Sequence, residues 1–157
     1  MRQIDLKAAA HEEMVRNGFE PDFPPAVLRD VAAMSEAAPS GPPNPAVRDL
    51  RQLPWSSIDN PESRDLDQIE VIEALADGAV RVRVGIADVD SRVPAGSAAD
   101  VHARHNTTSV YCGVTIFPML PERLSTDLTS LNEAADREAV VIEFTVLPDG
   151  SVTSRDV

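Results

Sequence analysis

Between Ile58 and Gln68 the chain places Asp59, Glu62, Asp65 and Asp67 within one short, turn-rich segment, Ile58-Asp59-Asn60-Pro61-Glu62-Ser63-Arg64-Asp65-Leu66-Asp67-Gln68. Carboxylates crowded this closely repel one another. A fold keeps them either in a fully solvated loop or beside a cation that neutralises them. Hard cations such as Mg²⁺ take oxygen ligands, usually one or two carboxylates completed by water and substrate phosphate. The chemistry that such a site suits is metal-assisted phosphodiester hydrolysis. An attacking water, an anionic phosphorus centre and a departing oxygen must lie in line, and a divalent cation stabilises the charge that develops. The bland reading is an ordinary polar turn, for which Asn-Pro is a common signature.

The residues C-terminal to the loop favour the first reading. In chain order they include Val84-Gly85-Ile86-Ala87-Asp88-Val89, Pro94-Ala95-Gly96-Ser97, Thr107-Thr108-Ser109-Val110-Tyr111, then Phe117-Pro118-Met119-Leu120-Pro121-Glu122-Arg123-Leu124-Ser125 and Ser130-Leu131-Asn132. In that order and at those separations, the segments over residues 47 to 157 resemble the start of the catalytic domain of the ribonuclease II family, the RNB domain. The resemblance implies a hydrolytic, processive 3′-to-5′ exoribonuclease that degrades single-stranded RNA to nucleoside 5′-monophosphates with Mg²⁺, or Mn²⁺ in its place.

The family's active site has four aspartates in the pattern D-x(5)-D-x-D-D. By position these fall on Asp59, Asp65, Asp67 and, where the family has its fourth aspartate, Gln68. The resemblance therefore implies Asp59, Asp65 and Asp67 as catalytic residues. It implies the same three with Gln68 as metal ligands, Asp59 and Asp65 being the main metal-holding pair and Asp67 the position tied most closely to the chemical step. A glutamine carbonyl can ligate a metal but brings no charge and cannot act as a base, so Gln68 bears on the number and affinity of metals bound. Arg64 either pairs with a carboxylate of the cluster or points to solvent. The family also places a tyrosine at the position of Tyr111 to stack on a base near the 3′ end, a mode of holding RNA that tolerates any sequence. The alternative for Tyr111 is a core aromatic beside Val110.

The elements that must position these residues read as an α/β (α+β) fold, a mixed sheet of hairpins with packed helices, preceded by a short helical leader. Ile4, Ala8, His11, Val15 and Phe19 recur at helical spacing, and Gly18 sits where a helix would stop. Pro24 and Pro25 open a second helix with Val27, Leu28, Val31 and Met34 as its apolar stripe. This pattern divides the chain into three segments: a helical segment over 1–38, a Pro-rich linker over 39–46 (Pro39-Ser40-Gly41-Pro42-Pro43-Asn44-Pro45), and an incomplete N-terminal portion of an RNB-type domain over 47–157. In the last, strands over Ile69 to Leu75 and Ala79 to Val89 flank the hairpin turn Asp77-Gly78. Val80, Val82, Val84 and Ile86 alternate with Arg81, Arg83 and Gly85, so that one face is apolar and the other partly basic. Ser97-Ala98-Ala99-Asp100 caps a helix running through His105. Val140, Ile142, Phe144 and Val146 form a strand entering a second hairpin at Pro148-Asp149-Gly150.

Several other residues read as structural. His102 and His105 stand at i, i+3 with no third nitrogen or sulfur ligand nearby, which favours solvent-facing or boundary histidines over a metal site. Ser125 and Ser130 read as turn or capping residues, and Trp55 as core. The single cysteine, Cys112, excludes an internal disulfide and reads as a buried thiol.

The formal net charge of −12 and pI near 4.5 oppose RNA binding by this segment, because Lys and Arg supply most of the affinity for phosphates. The expectation is that the RNA channel is built mainly beyond Val157. There the resemblance implies the remainder of the catalytic domain, with a second clamp aromatic and an arginine that assists catalysis, and a C-terminal oligonucleotide-binding barrel. The 157-residue segment alone is then expected to be inactive. No signal peptide or membrane-spanning run is visible, and the protein reads as cytoplasmic. Two other functions stand beside the exoribonuclease: a catalytically inactive RNB-fold fragment or RNA- or metal-binding module without turnover, and an unrelated acidic interaction module.

Overall fold

The computed structural model describes residues 5–35 and 47–157. The expected linker over 39–46 lies outside these, as do Ile4 and residues 36–38 of the expected helical segment. The described elements, in chain order, are α1 (Leu6–Arg16), α2 (Pro25–Ala33), β1 (Gln68–Ala74), β2 (Val80–Ala87), α3 (Ala98–Asn106), β3 (Val110–Cys112), β4 (Thr115–Phe117), β5 (Ala139–Val146) and β6 (Val152–Asp156), with a wide π-helical turn at Arg123–Leu128. Helices with wholly antiparallel strands make the fold α+β. The chain forms two compact units, one from Met1–Ser35 with Val93–Ser125 and one from Glu36–Arg92 with Thr126–Val157.

In the first unit α1 begins where the Asp5 carboxylate accepts the amides of Lys7 and Ala8. Its buried face is centred on Met14; Val15, expected on the apolar stripe, is exposed. His11 is held instead by Asp22 at 2.8 Å and packs its ring edgewise on Phe117. α2 has proline at its first position, as its sequence predicts, and buries Val27 and Val31 while Leu28 stays exposed. Its last carbonyls would be orphaned, but the Arg123 guanidinium donates to Val31, Ala32 and Met34 oxygens at 2.6–2.8 Å. The expected cap of α3 is present, with Ser97 Oγ accepting the Asp100 amide at 3.2 Å and Asp100 accepting the Gly96 amide at 2.7 Å.

The second unit is a four-stranded sheet in the order β1-β2-β5-β6. The β1–β2 turn has Asp77 at φ 69° and Gly78 at φ 77°, conformations suited to Asp-Gly. The β5–β6 hairpin turns through Pro148 and Asp149 into Gly150 at φ 83°, with the Leu147 amide donating to the Ser151 carbonyl. Register puts Val82 between Ile72 and Phe144, and Val84 between Glu70 and Ile142, on the apolar face. That face is not a closed core: Ile72, Ile86, Val140 and Val152 are exposed. The opposite face is basic in sequence but neutral in effect. Arg83 donates to Glu143 at 2.6 Å and lies 3.3 Å from Glu73, and Arg81 also bridges Glu73 and Glu143. These two arginines are committed to cross-strand pairs and do not form a free phosphate-binding surface. On the same face the Trp55 indole packs beside Gly85, its ring 3.5 Å from where a Cβ there would stand. Among the described residues no helix is long and apolar enough to cross a membrane.

Candidate active site

The acidic loop begins at an anchored point. Trp55 packs over Gly85, its indole N–H donates to the Leu50 carbonyl at 2.9 Å, and Ser56 forms an isolated antiparallel bridge to Glu70 on β1. The loop then turns, with the Ser63 amide donating to the Asn60 carbonyl. It ends as it enters β1, where Gln68 pairs with Ile86 and the Ala87 amide donates to the Asp67 carbonyl at 2.9 Å.

Between these ends the loop is closed by a distant segment. Ser130 is 1% exposed, and its Oγ accepts the Leu66 amide at 3.0 Å and lies 2.9 Å from the Arg64 carbonyl. The next amide, of Leu131, donates to the Leu66 carbonyl at 2.9 Å. By sequence Ser130 reads as an ordinary turn residue. The available signal is its place in the Ser130-Leu131-Asn132 segment of the resemblance, but local sequence cannot show a contact that spans sixty-four residues.

The electrostatics of the loop centre on Asp67. Its side chain remains exposed, yet neighbouring atoms remove enough water to raise its pKa. The charges of Asp65 and then Asp59 push it in the same direction. The three expected aspartates are thus close enough in effect for Asp67 to feel both others. They do not form a ready-made metal cage: among the described residues no group of three or more His, Cys, Asp or Glu side chains is gathered as a metal site. The donor set still fits a hard divalent cation. Carboxylate oxygens and the Gln68 amide oxygen are the right donors, the repulsion felt at Asp67 is what a cation would relieve, and Mg²⁺ characteristically needs only one or two carboxylates besides water and phosphate. Asp59, Asp65, Asp67 and Gln68 are the residues that could hold it.

Arg64 is exposed, and its backbone carbonyl is the part held by Ser130. Tyr111 belongs to the other unit. It lies on β3 opposite Ile116 with 66% of its surface exposed, so it is not the core aromatic of the alternative reading. His102, expected to face solvent or lie at a boundary, is instead buried at 3% exposure, its Nε2 facing the Asn106 amide at 3.2 Å; His105 is exposed and bonds the Gly18 carbonyl. Cys112 is half-buried rather than buried.

Comparison with known proteins gives this arrangement its context. The profile of the RNB domain matches residues 47–157, and the chain belongs to the RNB domain family. It is 40% identical over 131 residues to ribonuclease R of Escherichia coli (strain K12), a match covering 83% of this chain and 16% of that protein. It is 37% identical over 107 residues to exoribonuclease 2 of Edwardsiella piscicida, covering 68% of this chain and 16% of that protein. Among solved structures, Mycoplasma genitalium RNase R in complex with ribose-methylated single-stranded RNA superposes with a TM-score of 0.83 at 30% identity, covering 91% of this chain and 22% of that one. The chain therefore spans about one sixth of the length of the curated relatives it matches.

Proposed function

We propose that the polypeptide carrying this chain is a metal-dependent hydrolytic 3′-to-5′ exoribonuclease that degrades single-stranded RNA to nucleoside 5′-monophosphates. The observation that supports this most is that the acidic loop falls within the matched region 47–157 and its aspartates act electrostatically on one another at Asp67. In this reading Asp59, Asp65, Asp67 and the Gln68 amide oxygen would hold Mg²⁺, or Mn²⁺ in its place, with Asp59 and Asp65 as the main pair. When bound, the cation supplies charge stabilisation at the phosphoryl and leaving oxygens. Asp67, whose proton affinity is raised, orients the attacking water and accepts its proton. The water oxygen bonds to phosphorus as the bond from phosphorus to the 3′ oxygen breaks. The proton passes to that 3′ oxygen, and the terminal nucleotide leaves with its 5′ phosphate. Tyr111, exposed on β3, offers its ring to a base near the 3′ end.

The net charge of −12, with Arg81 and Arg83 already paired to glutamates, argues against a phosphate-neutralising groove built mainly from residues 1–157. We assign that groove to the part of the polypeptide outside this segment, together with the rest of the catalytic domain and an oligonucleotide-binding barrel. The test is to incubate the full polypeptide with 5′-labelled single-stranded RNA and Mg²⁺. Stepwise shortening from the 3′ end with release of nucleoside 5′-monophosphates is expected, abolished in Asp67→Asn. Internal cuts, or products bearing a 3′ phosphate, would overturn the reading. Gln68 favours one second reading, an RNB-fold member that binds RNA or metal without turnover. An intact substrate in the same assay would select it.

A further inference from the structure

We propose that Ser130 is the positioning residue of the acidic loop, fixing the backbone that presents Asp65 and, through Leu66, Asp67 to a cation. The proposal rests on the functional reading above. Its basis is that the four peptide groups around these two aspartates are all tied down. The Arg64 carbonyl belongs to the peptide ahead of Asp65 and the Leu66 amide to the one after it, and Ser130 Oγ bonds both, at 2.9 and 3.0 Å. The Leu66 carbonyl belongs to the peptide ahead of Asp67 and takes the Leu131 amide at 2.9 Å. The Asp67 carbonyl belongs to the peptide after it and takes the Ala87 amide at 2.9 Å.

A hydroxyl carries one proton and accepts through its lone pairs. Accepting from the Leu66 N–H leaves the Ser130 O–H one bond to donate. The Asn132 Oδ1 competes for it at 3.2 Å, but the Arg64 carbonyl is closer. The Asn132 amide is itself oriented by its bond to the Thr126 carbonyl at 3.1 Å. Ser130 thus serves as one two-way clamp across Asp65. Its 1% exposure removes it from contact with substrate. Loss of the hydroxyl would leave a part-buried amide and carbonyl without that partner, and the peptides on both sides of Asp65 would each lose one restraint.

The experiment uses the full polypeptide with Ser130→Ala, and Mn²⁺ as the probe. Three readouts are taken: Mn²⁺ affinity by calorimetry, amide exchange across residues 64–67 and across β1–β2, and kcat against Mg²⁺ concentration. The expected result is Mn²⁺ binding weakened by about tenfold, as for loss of other partners that orient metal ligands. Faster exchange at 64–67 should accompany it with β1–β2 protection unchanged, and high Mg²⁺ should restore part of the lost rate. Should the alanine variant lose β1–β2 protection, Ser130→Cys, a closer match in size with a weaker hydrogen bond, carries the same comparison. Unchanged Mn²⁺ affinity in a variant whose loop exchanges faster overturns this proposal alone. A wild-type protein that neither binds Mn²⁺ nor shortens RNA overturns the functional reading and this proposal together.

Discussion

Trp55 links the sheet to the acidic loop, and truncating it tests that link. The indole is half-buried, covers Gly85 on the face of β2, and donates its N–H to the Leu50 carbonyl at 2.9 Å. A fully buried tryptophan replaced by alanine costs about 3–5 kcal/mol. Half burial reduces the packing loss to roughly half, and the hydrogen bond adds about 1 kcal/mol. Trp55→Ala should therefore destabilise the protein by about 2.5–3.5 kcal/mol, which for a chain of this size lowers Tm by about 5–14 °C. Trp55→Phe keeps most of the packing and should cost about 1 kcal/mol. The assay is thermal unfolding followed by circular dichroism in EDTA, so that no cation compensates. Because Ser56 and its bridge to Glu70 come directly after it in the chain, Trp55→Ala should also weaken Mn²⁺ binding once the loop's upstream end is released. A melting temperature unchanged in Trp55→Ala, within the ordinary scatter of surface substitutions, would refute the claim that this contact anchors the loop.

Asp67 gives a pH signature. Its folded-state pKa is raised above the ordinary aspartate value of 3.8, so ionising it disfavours the metal-free fold; the penalty is absent below the unfolded value and complete above the folded one. Asp67→Asn should accordingly raise Tm in EDTA at neutral pH, with the gain vanishing below the ordinary aspartate range. The same variant should lower the single-turnover rate by several powers of ten while RNA affinity stays within a few fold; equal losses in both would make Asp67 structural. Gln68→Asp adds a charged ligand at the position where the family has its fourth aspartate, and should lower the Mg²⁺ concentration giving half-maximal activity. An unchanged requirement would mean that this position does not limit metal binding.

Features of the fold that depend on neighbouring residues were legible in sequence. Pro25 at the start of α2, Ser97 with Asp100 at the start of α3, and the turns at Asp77-Gly78 and Pro148-Asp149-Gly150 all act within a few residues of chain. What sequence could not show comes from pairing across long separations. Alternation in β2 marks Arg81 and Arg83 as one face, but only the register with β1 and β5 shows that Glu73 and Glu143 neutralise it. Helical spacing identifies the face that holds His102 but not the docking of Glu20 and Phe23 over it, which buries the ring. The acidic loop was legible as a cluster of charges. Its restraint was not, because Ser130 reaches it only through the tertiary fold.

The central claim is that the loop from Asp59 to Gln68 binds a divalent cation through its aspartates. Calorimetric titration of Mg²⁺ and Mn²⁺ into the intact protein tests it most directly, with wild type set against Asp59→Asn and Asp65→Asn. Saturable binding in the wild type, weakened in each variant while the fold is retained by circular dichroism, is the predicted result. Equal affinity in wild type and both variants would place the cation elsewhere and contradict the assignment.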